Sequence, residues 1–236
     1  MIEGKRALVT GASSGIGRAI AQSLQENGAK VIGCARREER LQELGCEYVV
    51  ADFLENDQVA SAVQCAAEFH GGLDIIVNSA GIGRQSALLD GDPKDWGEMW
   101  QVNVQALALA TREALKHFPE SGGQVVNLSS MSGHRVPGKG GFYSATKFAV
   151  RAMTEALRQE LRIAGDKTRV SSISPGFVDT ELLDEYFQSG GTDKYSVVEF
   201  PILQPADVAA AVMHQLSAPA HVDITDILLR PTDQAT

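Results

Sequence analysis

The chain has 236 residues, 44% of them hydrophobic and 22% charged, with a formal net charge of -9 at pH 7. That length can bury a full core in one or two domains, and an acidic balance with no lysine/arginine run argues against a nucleic-acid partner, which needs a concentrated basic face. Cys34, Cys46 and Cys65 lack a Cys-x-x-Cys pair and read as packing residues of a reducing compartment; the strand-like start leaves no room for a secretion signal and no apolar run reaches membrane-spanning length, so a cytoplasmic protein is expected.

Arg6 to Thr10 is a short apolar run ending in Gly11, and from Gly15 the apolar residues Ile20, Ala21 and Leu24 follow a helical period. Strand, glycine turn and helix are therefore expected in that order. The turn Gly11-Ala12-Ser13-Ser14-Gly15-Ile16-Gly17 has the spacing of a dinucleotide loop, in which glycines allow a tight reversal and let a pyrophosphate approach a helix amino terminus. Ser13 and Ser14 add hydroxyl donors. After the helix-ending Asn27-Gly28 comes a second strand, Lys30 to Ala35, with Arg36 and Arg37 at its end. An acidic residue there would accept from the ribose hydroxyls of NAD and repel a 2′-phosphate. Two arginines point instead to NADP(H), because a charge-assisted hydrogen bond contributes about 1.5 to 3 kcal/mol.

A short helix through Leu41 and Leu44 leads to a third strand, Glu47 to Ala51, closed by Asp52-Phe53. Asp52 either accepts from an adenine amino group, with Phe53 against the ring, or caps the next helix, Asp57 to Phe69. The continuous apolar run Asp74 to Val77 is a buried parallel strand, and it enters Asn78-Ser79-Ala80-Gly81, small residues against which a cofactor can lie. One helix is expected from Asp95 to His117, with Asn103 on its apolar stripe, where an unpartnered amide would cost a few kcal/mol, roughly. Gln124 to Leu128 is a fifth strand, ending at Ser129-Ser130.

Tyr143 and Lys147 stand four residues apart at the start of a helix running to about Ala164, so phenol and ammonium share one face. At roughly 4 Å and an effective dielectric of about 20, the cation supplies on the order of 4 kcal/mol to a phenolate. Lys147 is thus expected to bring Tyr143 most of the way from about 10 to neutral pH. Ser130, thirteen residues upstream at a strand tip, can face it. A sixth strand, Arg169 to Ser174, reaches Pro175-Gly176-Phe177-Val178-Asp179-Thr180. Beyond it Leu182, Leu183, Tyr186, Phe187, Tyr195, Val198, Phe200 and Ile202 follow no sustained period, as in an irregular lid over about 180–204. A helix from Pro205 through Leu216 and a last strand, Ile224 to Leu229, complete an alternation that predicts one doubly wound, seven-stranded parallel sheet with helices on both faces, a single α/β domain over 1–236. The histidines lack ligand spacing, so no metal is expected. No Gly-x-Ser-x-Gly elbow surrounds Ser130, which sets aside a hydrolase reading with His134.

The loop at residues 10–17, the Asn78 to Gly81 run, Asn103, Ser130 and Tyr143-x-x-x-Lys147, in this order, resemble the classical short-chain dehydrogenase/reductase family. The resemblance covers nearly the whole chain and implies a Rossmann-type fold. Segments 130–136, 142–147 and 230–236 are similar to members acting on lipophilic alcohols and ketones of keto-steroid, farnesol or retinoid type. The resemblance implies that Tyr143 is the general acid/base, that Ser130 orients the substrate oxygen, that Lys147 lowers the tyrosine pKa and holds the nicotinamide ribose, and that Asn103 supports a water leading from Lys147 to solvent. It places Gly11, Gly17 and their neighbours at the pyrophosphate, Arg36 with Arg37 at the 2′-phosphate, and Asp52 and Phe53 at the adenine. Asn78, Ala80 and Gly81 would flank the adenosine ribose, and Pro175, Gly176, Val178 and Thr180 the carboxamide. Ser79 stands where the family more often has a second asparagine, and the 37–47 segment is short. The expected activity is hydride transfer between NADP(H) and a lipophilic carbonyl or alcohol by a homodimer or homotetramer. The alternative is a non-catalytic NADPH-binding interaction or sensor protein on the same fold.

Overall fold

A computed structural model describes residues 2–138 and 140–235; Thr236, the end of the tail quoted above, lies outside them. Seven strands form one parallel sheet in the order β3-β2-β1-β4-β5-β6-β7: β1 Arg6–Thr10, β2 Lys30–Ala35, β3 Glu47–Val50, β4 Ile75–Asn78, β5 Gln124–Leu128, β6 Arg169–Pro175 and β7 Asp226–Leu229. The strand order reverses between β1 and β4. Thr10 is in register with Asn78, and Asn78 with Asn127, so the loops leaving β1 and β4 lie side by side at the switch point where such sheets open a crevice.

Strand residues alternate between two cores, as a pleat requires. Ala7, Val9, Ile75, Val77 and Val126 pack with Ile20 and Leu24 of α1 (Gly15–Glu26) and with Val208 and Val212 of α8 (Pro205–Leu216). Leu8, Ile76 and Val125 face the other way, onto α3 (Asn56–His70), α5 (Leu107–Leu115) and α6 (Gly141–Ile163). The short α2 (Glu38–Gln42) closes the β2–β3 connection. No helix among the described residues is long and apolar enough to cross a membrane.

Three expectations are corrected. The helix foreseen over Asp95–His117 is α4 (Pro93–Trp100), a π-helical turn, Gln101–Ala106, and then α5. Asn103 sits in that wider turn, the kind of local widening that recurs at functional positions. The 180–204 segment is not irregular throughout: Thr180 caps α7, Glu181–Ser189, by accepting from the Leu183 amide at 3.3 Å. Its buried stripe is only Leu183 and Phe187, too short to give a period. Of the three cysteines only Cys34 is fully buried; Cys65 is exposed, so packing does not account for it.

Candidate active site

A cleft of about 770 Å³ runs across the carboxyl ends of the strands. At its centre the β1–α1 joint is pressed against the loop after β4. A Cβ on Gly11, whose φ is +69°, would lie 2.8 Å from the Ala80 nitrogen, and one on Gly17 would lie 2.4 Å from the Gly11 carbonyl oxygen. Only a chain without side chains can turn this tightly. The Thr10 hydroxyl accepts from the amides of Ser79 at 3.1 Å and Ala80 at 3.0 Å, fixing the loop where Ser79 replaces the more usual asparagine. The cleft is lined by Gly11, Ser13 to Gly17, Arg36, Arg37, Asp52, Phe53, Ala80, Gly81, Ser130, Tyr143, Lys147, Pro175, Gly176, Val178 and Thr180. These are sequence-predicted residues that the structure brings together at one cleft. Glycine cradle, hydroxyl donors and arginine rim fit a dinucleotide.

Two expected residues do not face the cleft. Asn78 is buried and donates to Thr111 Oγ1 at 2.8 Å and Asn127 Oδ1 at 2.9 Å, while Asn127 donates to Thr154 Oγ1 at 2.9 Å. Its side chain ties β4 to β5 and α5 behind the cleft, away from any ribose. Asn103 Oδ1 accepts from the Ile82 amide at 2.9 Å, and its Nδ2 donates to the Ile82 carbonyl at 2.8 Å and to Thr146 Oγ1 at 3.1 Å. The partner that a buried amide requires is therefore the loop after β4.

Ser130 follows β5 and caps the turn Met131–Gly133, its hydroxyl accepting from the Ser132 amide at 3.0 Å. The Ser129 hydroxyl donates to the Lys147 carbonyl at 3.2 Å, which holds this strand tip against the first turns of α6. Ser130 is thereby brought close enough to Tyr143 for its hydroxyl to act on the phenol. Lys147 donates from Nζ to the Leu128 carbonyl at 2.9 Å and lies 5.8 Å from the Tyr143 ring centroid. Burial pushes the Tyr143 phenol well above its ordinary value; the Ser130 hydroxyl opposes this and Tyr186 adds to it. Burial also lowers Lys147 to about 8. The expected lowering of Tyr143 by Lys147 is not found; the Tyr143 phenol is raised instead, because desolvation disfavours the charged form of both groups.

The side chains that sequence reasoning did not assign to the site come mainly from α7 and its surroundings. The Tyr186 ring is 5.5 Å from that of Tyr143, and Phe177 packs on Phe187 at 5.8 Å and Phe200 at 6.5 Å. With Leu182 and Leu183 they form an apolar wall. Their clustering after the Pro175-Gly176 strand end was the available signal. Arg37 reaches Ser13 Oγ and Ser14 Oγ at 3.2 and 2.6 Å, whereas Arg36 is exposed and has no hydrogen bond or ion pair among the described residues. His134 meets Ser174 Oγ at 2.9 Å and Asp226 at 3.4 Å through the same ring nitrogen, Nε2. No proton can be relayed across the imidazole in that arrangement.

Doubly wound sheet, glycine joint and switch-point cleft together define a protein of the dinucleotide-binding class. The chain belongs to the short chain dehydrogenase family, whose model matches residues 5–190, and this makes it an oxidoreductase dependent on a nicotinamide cofactor. Dehydrogenase/reductase SDR family member 11 of Bos taurus is 42% identical over 98% of this chain and 97% of the bovine protein. Among solved structures, the closed form of a serine dehydrogenase complexed with NADP+ matches with a TM-score of 0.89 and 32% identity, over 98% of this chain and 96% of that one. A 3-ketoacyl-(acyl-carrier-protein) reductase from Brucella melitensis complexed with NADH matches at 0.85 and 30%, over 97% and 98%.

Proposed function

We propose that the protein transfers a hydride between NADP(H) and a lipophilic ketone, aldehyde or alcohol, with Tyr143 delivering or accepting the proton. The observation that carries this reading is the placement of Ser130, Tyr143 and Lys147 together on the wall of one cleft that the glycine joint also lines. When bound, the nicotinamide supplies or takes up the hydride. Ser130 orients the substrate oxygen toward the Tyr143 hydroxyl. A phenol kept neutral by burial is an acid ready to protonate that oxygen in the reductive direction, and the Lys147 ammonium stabilises the charge left on it. Asn103 acts by holding Ile82 and Thr146 in place, and any water it supports leads from Lys147 outward. Gly11, Ser13, Ser14 and Gly17 hold the pyrophosphate; Asp52 and Phe53 border the adenine, and Pro175 to Thr180 the carboxamide side.

A lipophilic substrate is supported by the wall of Leu182, Leu183, Tyr186, Phe187 and Phe200, which also excludes water. Relatives carrying NADP+ and NADH share this fold, so cofactor preference is decided at the end of β2. Arg36, exposed and unpaired, favours the 2′-phosphate. Trp100 and Phe148, 43% and 41% exposed on α4 and α6, support self-association as a dimer or tetramer. Initial rates with a keto-steroid, farnesal and retinal, using NADPH and NADH, test the reading on wild type and Arg36→Ala. Arg36→Ala is expected to weaken NADPH about ten- to a hundredfold and to leave NADH unchanged; equal losses for both would refute the NADP assignment.

A further inference from the structure

At the start of α7 one carboxylate holds two arginines from the far side of the cleft. Glu181 Oε2 accepts from Arg37 Nη1 at 2.7 Å, and Oε1 accepts from Arg40 Nη1 at 2.5 Å. Arg37 also donates to the hydroxyls of Ser13 and Ser14, so a single guanidinium joins the glycine turn, the end of β2 and the first turn of the 180–204 segment. Arg36, Arg37 and Glu181 line the cleft together. Arg37 and Glu181 are 41% and 47% exposed, and ion pairs in that setting are weak enough for an entering anion to displace.

We propose that Glu181 competes with the cofactor's 2′-phosphate for Arg37, setting how strongly the protein prefers NADP(H) over NAD(H). This rests on reading the end of β2 as the 2′-phosphate site. A carboxylate and a phosphate seek the same planar fork of donors, and the phosphate brings about 1.5 to 2 negative charges close to that of Glu181. Arg37 cannot give the same Nη1 hydrogen to both, and the two anions repel. NAD(H), with no phosphate at that position, leaves the Arg37–Glu181 pair intact. Glu181 therefore opposes one cofactor and is indifferent to the other.

The test is equilibrium binding of NADPH and NADH, followed by nicotinamide fluorescence, to the full chain and its Glu181→Gln variant, each with Arg37 intact and with Arg37→Ala. Glutamine keeps the length of the side chain, removes its charge and leaves one acceptor oxygen in place of two. With Arg37 intact, Glu181→Gln is expected to tighten NADPH about three- to fivefold, the size of a partly exposed ion pair, and to leave NADH unchanged. With Arg37→Ala most of the NADPH-specific gain should vanish, leaving only the relief of repulsion between the two anions. Equal shifts for both cofactors, no shift, or weaker NADPH binding would overturn the proposal. The reading beneath it fails separately: if Arg36→Ala and Arg37→Ala each weaken NADPH and NADH alike, the end of β2 is not a phosphate site at all.

Discussion

Burial acts on Tyr143 and Lys147 in opposite directions, and the result decides which proton each can hold. Tyr143 is raised and stays a phenol; Lys147 is lowered to about 8. An unfolded lysine titrates near about 10.4, so the folded chain binds fewer protons than the unfolded one between these values. The cost of burying the ammonium, on the order of 3 kcal/mol, is complete below pH 8 and is relieved as pH rises toward 10.5, which makes stability climb across that window. The raised Tyr143 works the other way only above about 10. Lys147→Met should remove the climb: urea unfolding at pH 7.5 and 9.5 should show wild type gaining on the variant, and parallel curves would contradict the assignment. Wild type is expected to show an inflection near pH 8 in kcat/KM from Lys147, and the same variant should lose it.

At the scale of elements, the β1–α1 joint has little freedom. Gly17→Ala would place a methyl carbon 2.4 Å from the Gly11 carbonyl oxygen, so either the turn opens or α1 moves off β1. A stability loss of about 1–3 kcal/mol is expected, with loss of NADPH binding, as read by denaturant unfolding and by titration; unaltered binding would show that the joint is not the cradle. This joint was legible in the sequence because strand, glycine spacing and helix are all local patterns, and for the same reason β1, β2 and β5 fall within the expected bounds. The π-helical turn at Gln101–Ala106 was not legible, since its apolar residues fit an ordinary helix and only the bonds of Asn103 to Ile82 and Thr146 reveal the widening. Asn78 deceived for a related reason. Its backbone ends a strand at the cleft, while its side chain turns to polar partners on α5 and β5, 33 and 49 residues away. The direction of the Tyr143 shift was equally hidden, because spacing reports the distance to Lys147 and says nothing of desolvation.

Across the whole molecule, the parallel sheet gathers the ends of β1, β2 and β4 at the end of the cleft proposed for the nucleotide, and β5, α6 and α7 at the end proposed to react. The two halves come from different stretches of chain and are held by separate contacts, Thr10 with Ala80 in one and Ser129 with Lys147 in the other. Cofactor binding and proton transfer should therefore be separable. Tyr143→Phe removes one hydroxyl from the reacting half and leaves the ring against Tyr186. Side-by-side measurement of NADPH affinity and of NADPH oxidation with a lipophilic ketone, on wild type and Tyr143→Phe, tests this directly. Affinity should be unchanged and turnover lowered about a hundred- to ten-thousandfold; undiminished turnover in the variant would contradict proton transfer by Tyr143.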